Sequence, residues 1–350
     1  MKAIKFFAIT AMAAAMITSC SSEDELSQSN YPSDNIIRVT AGVNNAKTRA
    51  DGAGTEMTND FSLTIVNKNT EKPELASKYS YTDKVFSKKS GDWACSETLL
   101  WQDSKTPVDI VAFAPAQEGK FNGVYAEGSI QSIAYSVADD QSTKSDNNDL
   151  LYYYAKDFNP GESLDKGKLN IQFNHAFCMI DINVTLGTEF NKPKVLDDSP
   201  IVKVTLGGTK IEANVDVTNA ATGSTTTTAA SVVTANKEAT PTTITTTKGT
   251  FDKAANAEAN AISRFSCIAI PQTVAANTFK VSLMTADKLY EWTSDKEITL
   301  QSGFRYTLNL TMGNDVVLLK GGSGSGSDNG GITATPWTEG DTGDKPLETD

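Results

Sequence analysis

The chain has 350 residues, 39% of them hydrophobic, with 43 acidic against 31 basic side chains and a single histidine. That length and apolar content can bury one large or two ordinary cores. The formal net charge of −12 disfavours nucleic acid and anionic membrane surfaces as partners.

Residues 1–19 read as a secretory signal. Lys2 and Lys5 supply the basic start, Phe6–Ile17 the apolar middle, and Thr18 and Ser19 the small residues before a cut. The middle is shorter than the ~18 residues a membrane-spanning helix needs. Ile17-Thr18-Ser19-Cys20 fits a lipobox, which makes Cys20 the lipidation site and the mature N-terminus. Acyl chains contribute about 0.8 kcal/mol per buried methylene, so Cys20 would tether the protein firmly to a bilayer. Residues 20–35, opening Ser21-Ser22-Glu23-Asp24-Glu25, are too polar to pack and read as a solvated stalk.

Period-two alternation dominates the chain beyond this stalk. Ile37, Val39, Ala41 and Val43 alternate with Arg38, Thr40, Gly42 and Asn44, which predicts a first strand over 36–44. Val108–Ala114 is more uniformly apolar, with Asp109 its one polar residue, and suits a strand covered on both faces. Tyr152-Tyr153-Tyr154 reads as a strand with a tyrosine-packed face, and less readily as a sugar-stacking platform. The Asn159–Ser163 cluster places a domain boundary near residue 166, giving an N-terminal unit over 36–166 and a C-terminal unit over 167–320.

In Ile171–Leu186 the apolar positions change from odd to even, which predicts a bulge or twist. Residues 220–250 are threonine-rich and read as an exposed insertion. Asp252–Ile262 could form a short helix, though it lacks an apolar stripe. Ile211, Ala213, Val215 and Val217 predict one more strand, and Phe304, Tyr306, Leu308, Leu310 and Met312 the cleanest of all. Residues 321–331 form a Gly-Ser linker, followed by the strand-like Ile332–Trp337 and an acidic tail. Short strands between turn-forming clusters, with no long helical period, predict an all-β chain of sandwiches.

The chemistry of catalysis is poorly represented. A triad or metal site would have to be built around His175 alone, and no phosphate loop or zinc-spaced cysteine pair is present. Asp139-Asp140 and Asp197-Asp198 read as solvated loop residues among many carboxylates. Cys178 and Cys267 lie in apolar runs as small buried hydrophobes, with a disulfide between them as the alternative. The expectation is no enzyme activity and no cofactor.

Taken together, the lipobox, the Ile37–Val43 strand with Lys47-Thr48-Arg49-Ala50 behind it, Trp101–Pro115, Asp149–Tyr152 before Phe173–Ala176, and Ile332–Trp337 resemble the fimbrillin family, type V pilins of Bacteroidetes-type bacteria. The acidic run after Cys20 resembles the outer-face export signal of gut-type Bacteroidetes. The resemblance implies two tandem transthyretin-like β-sandwich domains with Greek-key-type connections, export as a lipoprotein, and proteolysis after an arginine that releases the first strand.

Of the four arginines, Arg38, Arg49, Arg264 and Arg305, only Arg49 lies in a polar stretch that a protease could thread. A cut between Arg49 and Ala50 would detach the lipid together with strand 36–44. The exposed edge would then accept a strand from another subunit. The donor candidates are Val316 and Leu318, or Ile332, Ala334 and Trp337. The implied partners are other fimbrial subunits, a protein or glycan on host or bacterial surfaces, and the outer membrane before cleavage. Stalk, tip and anchor roles stay open, and the alternative is a monomeric glycan-binding surface lipoprotein.

Overall fold

The computed structural model describes residues 30–44, 55–57, 59–126, 128–143, 149–192, 194–220, 231–314, 317–319 and 332–337. The regular secondary structure of the described residues is almost all strand. In order these are β1 (Arg38–Val43), β2 (Thr55–Glu56), β3 (Phe61–Asn67), β4 (Tyr81–Lys89), β5 (Asp92–Cys95) and β6 (Val108–Ala114). Next come β7 (Tyr125–Ala126), β8 (Ser129–Ile130), β9 (Ile133–Ser136), β10 (Leu151–Phe158), β11 (Lys168–His175), β12 (Cys178–Leu186), β13 (Ile201–Thr209) and β14 (Glu212–Val215). The remainder are β15 (Val233–Ala235), β16 (Thr242–Thr245), β17 (Thr247–Asp252), β18 (Ala261–Ala269), β19 (Thr273–Val274), β20 (Lys280–Thr285), β21 (Leu289–Thr293), β22 (Ile298–Thr299), β23 (Phe304–Met312), β24 (Val317–Leu319) and β25 (Thr333–Pro336). Two short helices, Pro73–Lys78 and Pro160–Ser163, are the only α-helical turns among the described residues.

The first sheet runs β2-β1-β11-β10-β6-β3-β4-β5. It curls until β1 packs against β5, and the enclosed core holds Phe61, Leu63, Ile110, Leu169, Ile171 and Phe173, all essentially inaccessible. The second core lies between β17-β18-β12-β23 and the smaller sheet β16-β13-β20-β21. Along β23 four of the five residues expected to face inward do so; Phe304 is only half-buried, and Arg305, expected to face outward, is buried. Tyr306, Leu308, Leu310 and Met312 are buried, whereas Thr307, Asn309 and Thr311 are not.

Four expectations need correction. The change of phase in 171–186 is not a bulge. Leu169, Ile171 and Phe173 of β11 bury odd positions in the first core, Ile180, Ile182 and Val184 of β12 bury even positions in the second, and Ala176-Phe177 links them. The chain leaves one sheet there and enters another, so each strand keeps its own alternation. For the same reason the boundary near 166 does not match the sheets, since β11 pairs with β1 and β10 of the first sheet. In addition, β9 reaches across to pair with β14.

The threonine-rich segment is framework from Ser231 onward. β16 pairs with β13 and buries Ile244, and Thr246 donates its hydroxyl hydrogen to the Val204 carbonyl at 3.1 Å. Residues 221–230 lie outside the described residues. Asp252–Ile262 forms no helix. It is divided between the end of β17, an Asx turn in which the Asn256 side chain accepts from the Glu258 N–H, and the start of β18. Without an apolar stripe, no helical face has anything to pack against.

Candidate functional site

The first strand enters the fold through main-chain bonds. Ile37 N–H donates to the Leu99 carbonyl at 2.9 Å, and Trp101 N–H donates to that of Asn35 at 2.8 Å. β1 then runs parallel to β11, from Arg38 opposite Lys168 to Val43 opposite Phe173. Asn44 closes the run. Its N–H reaches the Phe173 carbonyl at 2.7 Å, and its side-chain amide donates to Asn174 Oδ1 at 2.9 Å. On the other flank, among the described residues, lies only β2, two residues paired antiparallel with Gly42 and Val43.

Ile37, Val39 and Val43 are buried among the residues of the first core, while Arg38, Thr40 and Asn44 face outward. At about 1.5–3 kcal/mol for each fully buried side chain, the three together contribute about 5–9 kcal/mol. A chelate-like ion pair precedes the strand, with Arg38 Nη1 and Nη2 3.0 and 2.6 Å from the two carboxylate oxygens of Asp34. It holds the Asp34 carboxyl down at about 2, helped by the Ile36 N–H. The segment joining β1 to β2 is 45–54, so Arg49 and Ala50 lie outside the described residues, as does Cys20. A cut anywhere in that connection would leave β1 held by noncovalent contacts alone.

The last strands lie on the other side of the molecule's β11–β12 crossover. β23 pairs in parallel with β12 on one edge. On its other edge it carries β24, with Leu310, Thr311 and Met312 opposite Leu319, Leu318 and Val317, and β25, with Phe304 through Thr307 opposite Pro336 through Thr333. β24 and β25 therefore lie end to end along one edge, and both groups of donor candidates are docked on their own β23. Ile332 and Trp337 are buried and Ala334 is half-buried; Leu318 is placed by its backbone pairing, and Val316 lies outside the described residues.

Trp337 is the anchor of that edge. Its N–H donates to the Gly303 carbonyl at 2.7 Å, and its ring stacks on the His175 imidazole with centroids 3.7 Å apart and planes 11° from parallel. His175 Nδ1 lies 2.7 Å from Asp149 Oδ2. The sequence puts His175 and Trp337 in separate apolar patterns, and no local signal joins them; only the register of β25 on β23 does.

The other candidates have structural roles. Cys178 and Cys267 are free and buried on the adjacent strands β12 and β18, and burial pushes both thiols far up. Tyr152, Tyr153 and Tyr154 are half-buried, with their phenols raised by desolvation, and so form no exposed platform. Asp197 is held at about 2 by Lys194 and Lys253, and Asp198 is paired with Lys248. Asp140 accepts from the Ser142 N–H. Among the described residues no group of His, Cys, Asp or Glu could hold a metal ion. An open cavity of about 750 Å³ beside β15, with Tyr152, Lys210 and Ser302 in its wall, brings no catalytic constellation together.

A family model described as fimbrillin-like matches residues 48–337. No curated protein sequence matches significantly. Among solved structures, a candidate cell adhesion protein from Bacteroides ovatus is 17% identical at a TM-score of 0.58, covering 86% of this chain and 97% of its own. A fimbrial protein from Bacteroides vulgatus is 15% identical at a TM-score of 0.51, covering 87% and 99%. A candidate cell adhesion protein from Bacteroides uniformis is 12% identical at 0.51, covering 88% and 100%. At these identities the likeness is one of fold.

Proposed function

Because the chain belongs to the fimbrillin-like family, we propose that it is a fimbrial subunit, exported as a lipoprotein on Cys20, cut between Arg49 and Ala50, and assembled at the cell surface by donor-strand exchange in support of adhesion. The observation that carries the reading is the placement of β1. It is the first strand among the described residues, it fills the first core with Ile37, Val39 and Val43, and its only covalent link to the strands that follow is the connection 45–54. The family match begins at residue 48, which leaves β1 outside the shared part.

Loss of β1 would leave β11 with an unpaired ladder edge over 168–173 and would uncover Leu169, Ile171 and Phe173. An unpaired edge above apolar pockets is adhesive. A strand offered by another copy restores both the hydrogen bonds and the buried surface. Ile332-Thr333-Ala334-Thr335 offers the required alternation, with Ile332 buried and Ala334 half-buried. The acceptor and donor would lie in two tandem β-sandwich units.

The deciding experiment is intact mass and N-terminal mapping of protein recovered from the cell surface, with Arg49→Gln alongside. The expected result is an unacylated start at Ala50 in high-mass, heat-resistant assemblies, and an acylated monomer starting at Cys20 for the variant. An acylated monomer from the unaltered chain would overturn the proposal.

A further inference from the structure

Two strands that are far apart in sequence end on the same three residues. The end of β1 is fixed to Phe173 and Asn174 through both the N–H and the side chain of Asn44, at 2.7 and 2.9 Å. The next residue, His175, carries the Trp337 ring at 3.7 Å, and Trp337 is the buried end of the β25 edge. Phe173-Asn174-His175 is thus a shared seat.

What holds that seat depends strongly on β1. Through residues 168–173, β11 is paired with β1, whereas its register with β10 covers only Asn174 opposite Tyr152 and His175 opposite Leu151. With β1 gone, those two pairs, the Ala176 N–H bond to the Leu150 carbonyl and, just beyond the strand, the Gly303 N–H bond to the Phe177 carbonyl, both at 2.8 Å, are the main-chain ties of this end. The same loss uncovers Leu169, Ile171 and Phe173, so β11 is free to shift toward the vacated space. His175 moves with it, and a ring stack tolerates little displacement before its contact is lost.

We propose that Trp337 on His175 is a latch that couples the two ends of the chain: departure of β1 loosens the β25 edge, so that a subunit offers its last strand only after its own first strand has gone. This rests on the proposed loss of β1 during assembly. A fibre subunit that released its donor strand while its acceptor groove was still filled would chain onto others without control, and the shared seat imposes the order. Coupling of this kind is reciprocal. Docking of Trp337 must hold β1 as much as β1 holds Trp337.

The test uses the full chain behind its leader, with Cys20→Ser to prevent acylation and a sequence-specific protease site placed within 45–54, so that cutting does not depend on Arg49. Hydrogen exchange of the 332–337 segment is followed before cutting and after removal of the β1 fragment, against β12 as the reference. Exchange in 332–337 is expected to rise at least about fivefold on removal while β12 stays protected. In the same protein, Trp337→Ala should weaken rebinding of the fragment by a matching factor, and Trp337→Phe, which keeps a stacking ring, should restore most of it.

Should the stripped protein lose protection everywhere, Val39→Ala in the uncut chain gives the graded version, with a smaller rise confined to 332–337. Unchanged exchange in 332–337, or fragment affinity indifferent to Trp337→Ala, overturns the latch. Assembly by a protein whose 332–337 segment stays protected in the stripped monomer, before any strand is exchanged, would sink the latch and leave the proposed function standing. A working latch in a protein that never assembles would do the reverse.

Discussion

Replacing Ile37 by alanine probes whether the first strand really closes the first core. The side chain is 6% exposed and packs with the buried cluster around Phe61 and Phe173. Truncating a buried isoleucine leaves a cavity and costs about 2–5 kcal/mol, a large part of the roughly 5–15 kcal/mol that holds an ordinary domain together. In the uncut chain this should appear in urea unfolding followed by circular dichroism as an earlier midpoint. In a chain cut within 45–54, the same loss raises the dissociation constant of the β1 fragment by about thirty- to several-thousand-fold, at a factor of ten per 1.4 kcal/mol. Thr40→Ala on the outward face is the control. Its hydroxyl bond to Asn170 Oδ1 is long, at 3.3 Å, and an exposed change of this kind shifts stability by no more than about 0.5 kcal/mol. If Ile37→Ala proved as mild as Thr40→Ala, β1 would be an ornament on the first core, and its removal would open no groove.

Reducing agent should leave the melting temperature unchanged, and thiol reagents at pH 8 should label half-buried Cys95 but reach Cys178 and Cys267 only after denaturation; a mass showing a bond between those two would contradict the geometry. Arg305, buried beside Asp181 through its Nε, should be costly to remove: Arg305→Ala takes the guanidinium away from a largely buried carboxylate and should lower stability by about 3–5 kcal/mol, whereas replacing both partners with apolar residues should be close to neutral, as chemical denaturation would reveal. Asp34 should titrate by NMR near 2. Because its folded value lies below the ordinary ~3.9, the ion pair stabilises at neutral pH, and its contribution fades as pH falls from about 4 toward 2. Arg38→Ala should move the titration back up, leaving only the smaller effect of the Ile36 N–H.

Strands were legible in the sequence wherever one face is buried and the other is wet, because a period of two is then written directly into residue type. β1, β11, β14 and β23 are of this kind. The crossover at Ala176-Phe177 carried an equally clear sign, the change of apolar phase, but a bulge within one strand and a passage between two sheets leave the same mark locally. Pairings that depend on distant chain were not legible. Nothing near Ile133–Ser136 says that it joins Glu212–Val215, and nothing near Ile332–Trp337 says that its resting place is β23. The threonine tract misled for a related reason: composition suggests exposure, yet Ile244 and Thr246 face the second core because β13 is beside them.

The continuous run from Lys168 to Leu186 takes on another meaning once the chain is part of a fibre under load. Under the proposed strand exchange, a strand seated in the β1 position would pull on β11 along its length, and β23 would pull on β12 in the same manner, since both pairs are parallel. Tension therefore enters one core and leaves the other through a single stretch of covalent backbone. At each end it meets the hydrogen bonds in shear, where they must yield together and not one after another.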